Sequence, residues 1–215
     1  MFILNTENSL ANHFLAEIRD TSIQTDRLRF RRNLERLGEI MAYEFSKKLS
    51  YSIQYVTTPL GESKIGLIDQ QPVLIPILRA GLPFFQGFLN YFDQASCGFI
   101  GAYREPHDAE NEFAIAIDYM SLPVIEGKIV VLLDPMLATG KSLIKSVNNL
   151  LATGTPNQLH IIAAIAAPEG IKNLEMNLSF PYSLYVGAID EKLNSKAYIV
   201  PGLGDAGDLC YGSKI

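Results

Sequence analysis

The sequence is poor in the residues that build disulfide frameworks and metal centres. Its two cysteines, Cys97 and Cys210, lie far apart in the chain, which predicts no disulfide scaffold. The three histidines, His13, His107 and His160, are scattered and share no metal-ligand spacing with the cysteines. The sequence therefore predicts a protein held together by its core.

Long hydrophobic runs and a surplus of basic residues are also missing. The longest apolar run, 161–167, is far shorter than the ~20 residues that a membrane-spanning helix needs. Residues 1–8 contain no basic region or apolar core of the secretory kind, so we expect a cytoplasmic protein. The net charge of −5 argues against broad nucleic-acid binding. With 48% hydrophobic and 19% charged residues, the chain has a globular composition.

Strand-like and helix-like patterns alternate along most of the chain. Strands are predicted at 52–58, 64–68, 73–77, 97–102, 129–133, 159–167 and 184–189. Helices are predicted at 8–20, 26–48, 83–91 and 168–178, and from Leu143 to Leu151. The first two strands read as a hairpin, 113–119 as a strand or arm, and the chain from Asp190 as irregular. This order predicts an α/β fold with a mostly parallel sheet and right-handed crossovers, in a single domain covering 1–215.

One stretch, Ile129–Ser142, carries the clearest chemical signal. Five apolar residues indicate a strand buried on both faces, and Pro135 ends it because proline supplies no N–H to the sheet. A loop of mostly small residues then leads into a helix whose unpaired N–H groups favour an anion such as phosphate. Asp134 lies beside that anion and can accept hydrogen bonds from hydroxyl groups. The stretch therefore suits a ribose 5-phosphate.

Three interpretations of this stretch compete. A nucleotide triphosphatase loop requires glycine where the sequence has Pro135, so the turn around the phosphates would be lost. An ordinary strand–turn–helix without a ligand remains an alternative. The best match is an apolar strand, an acid and then Ala138-Thr139-Gly140, which resembles the phosphate loop of type I phosphoribosyltransferases.

Arginine is unevenly placed. Six of the eight arginines lie in the predicted N-terminal helices: Arg19, Arg27, Arg29, Arg31, Arg32 and Arg36. The arginine-rich face of the second predicted helix is interpreted first as solvated surface, then as a contact with a partner subunit or the sheet, and last as an RNA contact. The other two, Arg79 and Arg104, follow predicted strands, where functional loops lie.

Four segments together resemble one family. They are Pro76–Leu82, Asp134–Gly140, Ala166–Ile171 and Tyr198–Asp208, and they occur in the order and spacing of the uracil phosphoribosyltransferases. The resemblance runs from about Leu15 to Gly212. Its last segment is the most specific, because other type I phosphoribosyltransferases do not share it.

The resemblance implies a fold and a reaction. The fold is the type I phosphoribosyltransferase fold, with N-terminal helices at about 8–48, a β-arm and a C-terminal uracil-binding hood at about 190–212. The reaction converts uracil and 5-phosphoribosyl 1-diphosphate (PRPP) to UMP and diphosphate with Mg²⁺, in pyrimidine salvage. A homodimer or higher homo-oligomer is implied, with the arm and the N-terminal helices as candidate contacts. Activation by GTP is left open.

The resemblance also implies the residues of the site. Those expected to bind PRPP are Arg79, Arg104, Asp134, Pro135, Met136, Leu137, Ala138, Thr139, Gly140, Lys141, Ser142 and Asp205. Uracil is expected at Ile199, Gly204, Asp205 and Ala206. The expected catalytic residues are Arg79, Arg104, Asp134 and Asp205, and Asp205 is expected to hold Mg²⁺ through water.

Two positions depart from the family pattern. Lys141 stands where glycine is usual, and we expect it to have an ordinary negative φ and to support the 5′-phosphate. Ser121 stands in the arm where we expect a lysine, which weakens the case for contacts from the arm to the pyrophosphate. These departures leave an alternative function open, a catalytically impaired regulatory homologue that binds UMP or uracil.

Overall fold

The computed structural model describes residues 1–104 and 115–213. Its helices are α1 (Ala11–Arg19), α2 (Arg27–Ser46), α3 (Gly81–Leu89), α4 (Lys141–Leu151), α5 (Pro168–Asn177) and α6 (Ala206–Tyr211). Its strands are β1 (Phe2–Ile3), β2 (Tyr51–Thr58), β3 (Gly61–Ile68), β4 (Val73–Leu78), β5 (Ser96–Cys97), β6 (Phe99–Arg104), β7 (Ile115–Ser121), β8 (Ile129–Leu133), β9 (Met136–Leu137), β10 (Gln158–Ala166), β11 (Tyr182–Ile189), β12 (Lys192–Leu193) and β13 (Ile199–Val200).

A central sheet confirms the predicted α/β architecture. Its strand order is β1-β11-β10-β8-β4-β6-β7, and all of these pairs are parallel except β6 with β7. The chain builds outward from β4 through β6 in one direction and from β8 through β10 and β11 in the other. The order therefore reverses between β4 and β8, and ligands of open α/β sheets bind beyond the carboxyl ends of the strands at such a point.

Side chains of the inner strands alternate between two cores. Val131 and Leu133 of β8 pack in the cluster that contains α1, α2 and α3. Val130 and Leu132 point to the other face and pack with α4 and α5. Burial of all five β8 residues explains the uninterrupted apolar run, because a strand covered on both faces needs no polar positions.

The β2–β3 hairpin stands apart from this sheet. The two strands pair only with each other, and nearly all of their residues are exposed. Several are large and apolar: Tyr51, Ile53, Tyr55, Val56, Ile65 and Leu67, with Leu60 at the turn. An isolated two-stranded hairpin is only marginally stable in water. A contiguous exposed apolar surface like this one is typical of a binding or interface site.

The C-terminal segment is more regular than the sequence suggests. Beyond Asp190, β12 and β13 form a short antiparallel hairpin, and α6 begins at Ala206. The prediction of an irregular segment is therefore wrong in part. A six-residue helix that contains a glycine gives no clear periodic signal, although Asp205 caps it by accepting a hydrogen bond from the Asp208 amide at 3.0 Å.

None of the described helices is long and apolar enough to cross a membrane. Cys97 and Cys210 are both free thiols, as the spacing predicts.

Candidate active site

Two adjoining cavities lie beyond the carboxyl ends of β4 and β8, where the strand order reverses. The first has a volume of about 70 Å³ and is lined by residues that follow β8, from Asp134 to Leu143. The second has a volume of about 130 Å³ and is lined by Ala80, which follows β4, and by residues of the C-terminal segment. Met136 and Ala138 line both cavities, so the two share a wall, and we refer to the pair as the cleft.

The first cavity is built around the start of α4. Gly140 precedes the helix with a φ of +76°, a left-handed conformation that favours glycine, and it supplies no side chain to cap the helix. The first amide groups of a helix have no partner within it, a property that favours an anion. At the start of α4 the Lys141 amide donates to the Thr139 hydroxyl at a long 3.4 Å. Thr139 and Ser142 add hydroxyl groups to the lining. By contrast, Asp26 caps α2 with its own carboxylate.

Lys141 is the first residue of α4 and lacks a positive φ, as the sequence predicts. Its side chain does not line the cavity described above. Together with Lys145, one turn further along, it lines a separate groove between α4 and α5. The expected contact between Lys141 and a 5′-phosphate therefore stays a prediction.

Asp134 lies at the carboxyl end of β8 and faces the first cavity. Its Oδ1 accepts a hydrogen bond from the Met136 amide at 3.1 Å. Burial raises the pKa of Asp134 to about 7, and the bond from Met136 only partly opposes that shift. Both chain neighbours of Asp134, Leu133 and Pro135, are buried, and neither lines a cavity.

The second cavity contains three of the four residues expected to contact uracil. Gly204, Asp205 and Ala206 line it, whereas Ile199 is buried in the core and contributes to β13. Asp205 is exposed at the cavity with one carboxylate oxygen engaged in capping α6. Sequence reasoning missed four further lining residues: Ala80, Gly207, and Ala197 and Tyr198, which belong to the turn between β12 and β13.

That turn has a backbone conformation which periodic patterns do not predict. Ala197 has a φ of +61°, and no other non-glycine residue in the described part of the chain has a positive φ. The Asn194 side chain holds the turn by accepting hydrogen bonds from the amides of Lys196 and Tyr198, at 2.9 and 3.0 Å. An asparagine side chain often accepts hydrogen bonds from backbone amides a few residues later in a turn, so Asn194 was the sequence signal for this turn.

Of the two arginines expected to bind pyrophosphate, the structure describes the side chain of Arg79 but not that of Arg104. Arg79 follows β4, and its guanidinium donates to Asp208 at 2.8 Å and to the Gly212 carbonyl at 3.2 Å. Its Nε is buried with no partner among the described residues. Arg104 is the last residue of β6, and its side chain lies outside the described part of the structure.

Arginines of the N-terminal helices hold the C-terminal segment in place. Arg19 makes two bonds to the buried Asp190, at 2.6 and 2.8 Å, and Asp190 also accepts from the Gly202 amide at 2.9 Å. Arg31 donates to the Cys210 carbonyl at 2.6 Å, at the end of α6. The leading interpretation of the arginine-rich face of the second helix as solvated surface is therefore wrong for Arg31, whose acceptor is distant in sequence.

Within residues 1–104 and 115–213, no three metal-binding side chains come together. A single carboxylate such as Asp205 suits Mg²⁺, which keeps several waters and commonly binds with substrate phosphates.

Comparisons with known proteins agree with this arrangement. Residues 5–213 match the family model described as uracil phosphoribosyltransferase. A uracil phosphoribosyltransferase of Porphyromonas gingivalis is 48% identical over 212 residues, covering 99% of this chain and 98% of that protein. A solved structure of a protein from Aquifex aeolicus superposes with a TM-score of 0.87 at 36% identity, and the match covers both chains completely. A hypoxanthine phosphoribosyltransferase structure from Staphylococcus aureus, at 18% identity and a TM-score of 0.50 over 74% of each chain, shows the shared fold.

Proposed function

The chain belongs to the uracil phosphoribosyltransferase family, a family of pentosyltransferases, and we propose that it converts uracil and PRPP to UMP and diphosphate. The observation that carries the proposal is the pair of adjoining cavities, with the start of a helix at one and the C-terminal segment at the other. We further propose that residues 1–215 act as one phosphoribosyltransferase domain.

The phosphoribosyl group would occupy the first cavity. Amide groups between Ala138 and Ser142 would bind the 5′-phosphate, since the positive end of α4 attracts an anion. The Ala138 amide itself donates to the Met136 carbonyl at 3.1 Å. The Thr139 and Ser142 hydroxyls would add two donors. Asp134 would accept hydrogen bonds from the ribose hydroxyls, which requires its ionised form because a carboxylate accepts more strongly than a neutral acid.

Uracil would occupy the second cavity against main chain. Its two carbonyl acceptors and two N–H donors can pair with backbone groups around Gly204, Asp205 and Ala206. Cytosine replaces one carbonyl with an amino group, which would face a donor and leave it unpaired. Purines carry a second ring that the cavity of about 130 Å³ would have to accommodate. We therefore expect selectivity for uracil.

In the reaction, N1 of uracil forms a bond to the anomeric carbon while the bond from that carbon to diphosphate breaks. The N1 proton is released, and the departing diphosphate gains negative charge. Arg79 and Arg104 would stabilise that charge, because a planar guanidinium pairs well with two oxygens. Arg79 would exchange the carboxylate of Asp208 for diphosphate. Catalysis then rests on positioning and electrostatics, without a covalent enzyme intermediate.

Mg²⁺ would bind through diphosphate oxygens and water, with Asp205 as its protein partner. The metal supplies charge neutralisation of the diphosphate when bound. Asp205 keeps one carboxylate oxygen for this role while the other caps α6.

One assay tests the proposed reaction. Purified protein is incubated with labelled uracil, PRPP and Mg²⁺, and UMP is measured, with cytosine, orotate and hypoxanthine as competing bases. We expect UMP from uracil alone. Binding of UMP without turnover would instead support the regulatory homologue to which Lys141 and Ser121 point. Repeating the assay with GTP tests the activation that the sequence leaves open.

We also propose that the protein works as a homodimer or a higher homo-oligomer. The exposed apolar side chains of the β2–β3 hairpin support this, because an apolar surface of this kind is stabilised when a second copy covers it. Light scattering should give at least twice the monomer mass of 23.8 kDa. Replacing Ile53 and Tyr55 by lysine should shift the mass toward that of a monomer.

A further inference from the structure

Helix α5 lies against both ends of the cleft, although none of its residues is among those assigned to the site above. It starts at Pro168, directly after β10. Its first turn contacts the loop that precedes α4, and the same turn also contacts the hairpin formed by β12 and β13. One short segment therefore contacts the structures that line the two cavities.

The contact with the loop 138–140, called the phosphate loop below, is close and specific. A Cβ on Gly170 would collide with the Ala138 carbonyl oxygen, so no larger residue fits there. Asn173, three residues further on, donates its side-chain amide to the Thr139 carbonyl at 2.7 Å. The carbonyls of two successive loop residues are thus directed toward α5.

The hydrogen bond from Asn173 to the Thr139 carbonyl also constrains the Gly140 amide, because the two groups belong to one planar peptide unit. In a trans peptide the C=O of one residue and the N–H of the next point in opposite directions. Because the Thr139 carbonyl points to Asn173, the Gly140 N–H points away from α5. Gly140 lines the first cavity, so the bond from Asn173 fixes a peptide plane at the edge of the proposed 5′-phosphate site.

The contact with the C-terminal hairpin is made by Glu169. Its Oε1 accepts a hydrogen bond from the Leu193 amide at 2.9 Å, and backbone hydrogen bonds, that from Leu193 first, hold the pKa of Glu169 below its usual value. Leu193 pairs with Ile199 across the hairpin. The turn of this hairpin carries Ala197 and Tyr198 into the lining of the second cavity.

We propose that Glu169 and Asn173, one helical turn apart on α5, are positioning residues for the two halves of the cleft. Asn173 orients the phosphate loop, and Glu169 orients the hairpin beside the uracil cavity. The proposal rests on the proposed function, since the two half-sites are named by the substrates they would hold. Neither side chain lines either cavity, so each acts through the main chain it bonds.

Steady-state kinetics with uracil and PRPP varied in turn test the proposal. Asn173→Ala should raise the KM for PRPP about tenfold, because it removes the hydrogen bond to the Thr139 carbonyl. The KM for uracil should stay within about twofold of wild type. Asn173→Asp keeps the shape but faces the Thr139 carbonyl with a carboxylate, so its effect should be at least as large. Glu175→Ala, an exposed change on the same helix, should leave both constants unchanged.

Glu169 should show the opposite selectivity and a chemical rescue. Glu169→Ala should raise the KM for uracil about fivefold with little change for PRPP, since an exposed hydrogen bond contributes less than a buried one. Glu169→Gln keeps an acceptor for the Leu193 amide and should stay close to wild type. Equal rises in both KM values, or identical behaviour of the Gln and Ala variants, would overturn the proposal.

Amide hydrogen exchange separates this proposal from the proposed function. In the ligand-free protein, Glu169→Ala should speed exchange at Leu193, and Asn173→Ala should not. Wild-type protein that makes no UMP would refute the proposed reaction. Unchanged exchange at Leu193 in Glu169→Ala would refute the positioning role whether or not UMP is made.

Discussion

Replacing Asp134 by asparagine should stabilise the ligand-free protein while abolishing UMP synthesis. Burial raises the pKa of Asp134 from 3.8 to about 7, so the fold disfavours the charged carboxylate. Asparagine has nearly the same shape, stays neutral and can still accept the hydrogen bond from the Met136 amide. The substitution thus removes the cost of burying a charge but also removes the acceptor that the ribose hydroxyls would need.

The pH dependence follows from the direction of the shift. Between pH 3.8 and about 7 the unfolded carboxyl has lost its proton while the folded one keeps it. The folded state then binds more protons, so stability falls as pH rises through this window and levels off above it. The full shift corresponds to about 4 kcal/mol at 1.36 kcal/mol per pKa unit, an upper value because the side chain is only partly enclosed.

Urea unfolding at several pH values measures this effect. Between pH 5 and pH 8 the stability advantage of Asp134→Asn over wild type should widen by up to about 2.7 kcal/mol. Asp93→Asn, an exposed change of the same type, should alter the unfolding free energy by no more than about 0.5 kcal/mol. An Asp134→Asn variant less stable than wild type at pH 8, or a difference independent of pH, would refute the reasoning.

Three further predictions concern other parts of the molecule. Burial lowers the pKa of His160 from 6.5 to about 4, so its contribution to stability is complete above pH 6.5 and is lost as pH falls toward 4. From pH 7 to pH 5, the unfolding free energy of wild type should fall by about 2 kcal/mol more than that of His160→Phe, measured by urea unfolding. The same pH dependence in both proteins would contradict this. Gly170→Ala should force the phosphate loop away from α5, lowering the unfolding free energy by about 1–3 kcal/mol and raising the KM for PRPP; an unchanged KM would count against that contact. Asp205→Ala and Asp205→Asn should both lose UMP synthesis, but only Ala should lose the α6 cap, at about 1 kcal/mol by urea unfolding; retained turnover would contradict the role of Asp205.

The segment from β8 to α4 could be predicted closely from sequence because its signals are local. The apolar run matches β8 at both ends, and Pro135 and Gly140 mark the loop where the structure has it. The α/β class follows from the same kind of pattern, repeated along the chain. Periodicity is informative where an element is long enough to alternate or to complete several helical turns.

Helix α6 and the anchoring arginines could not be predicted in this way. Arg31 bonds the Cys210 carbonyl and Arg79 bonds Asp208, and these partners lie more than a hundred residues away. No local pattern encodes such pairings, so a surface role for Arg31 was the natural interpretation. The part played by Glu169 was hidden for the same reason, since its partner is a main-chain amide of a later hairpin.

The bond between Arg19 and Asp190 has a consequence for how the protein is made. The two residues are 171 positions apart, so at typical synthesis rates of about 5–20 residues per second Asp190 is added roughly 10–30 s after Arg19. Until then Arg19 lacks its carboxylate partner, and the turn at Gly202 does not yet exist. A nascent chain therefore completes the proposed uracil cavity only near the end of translation.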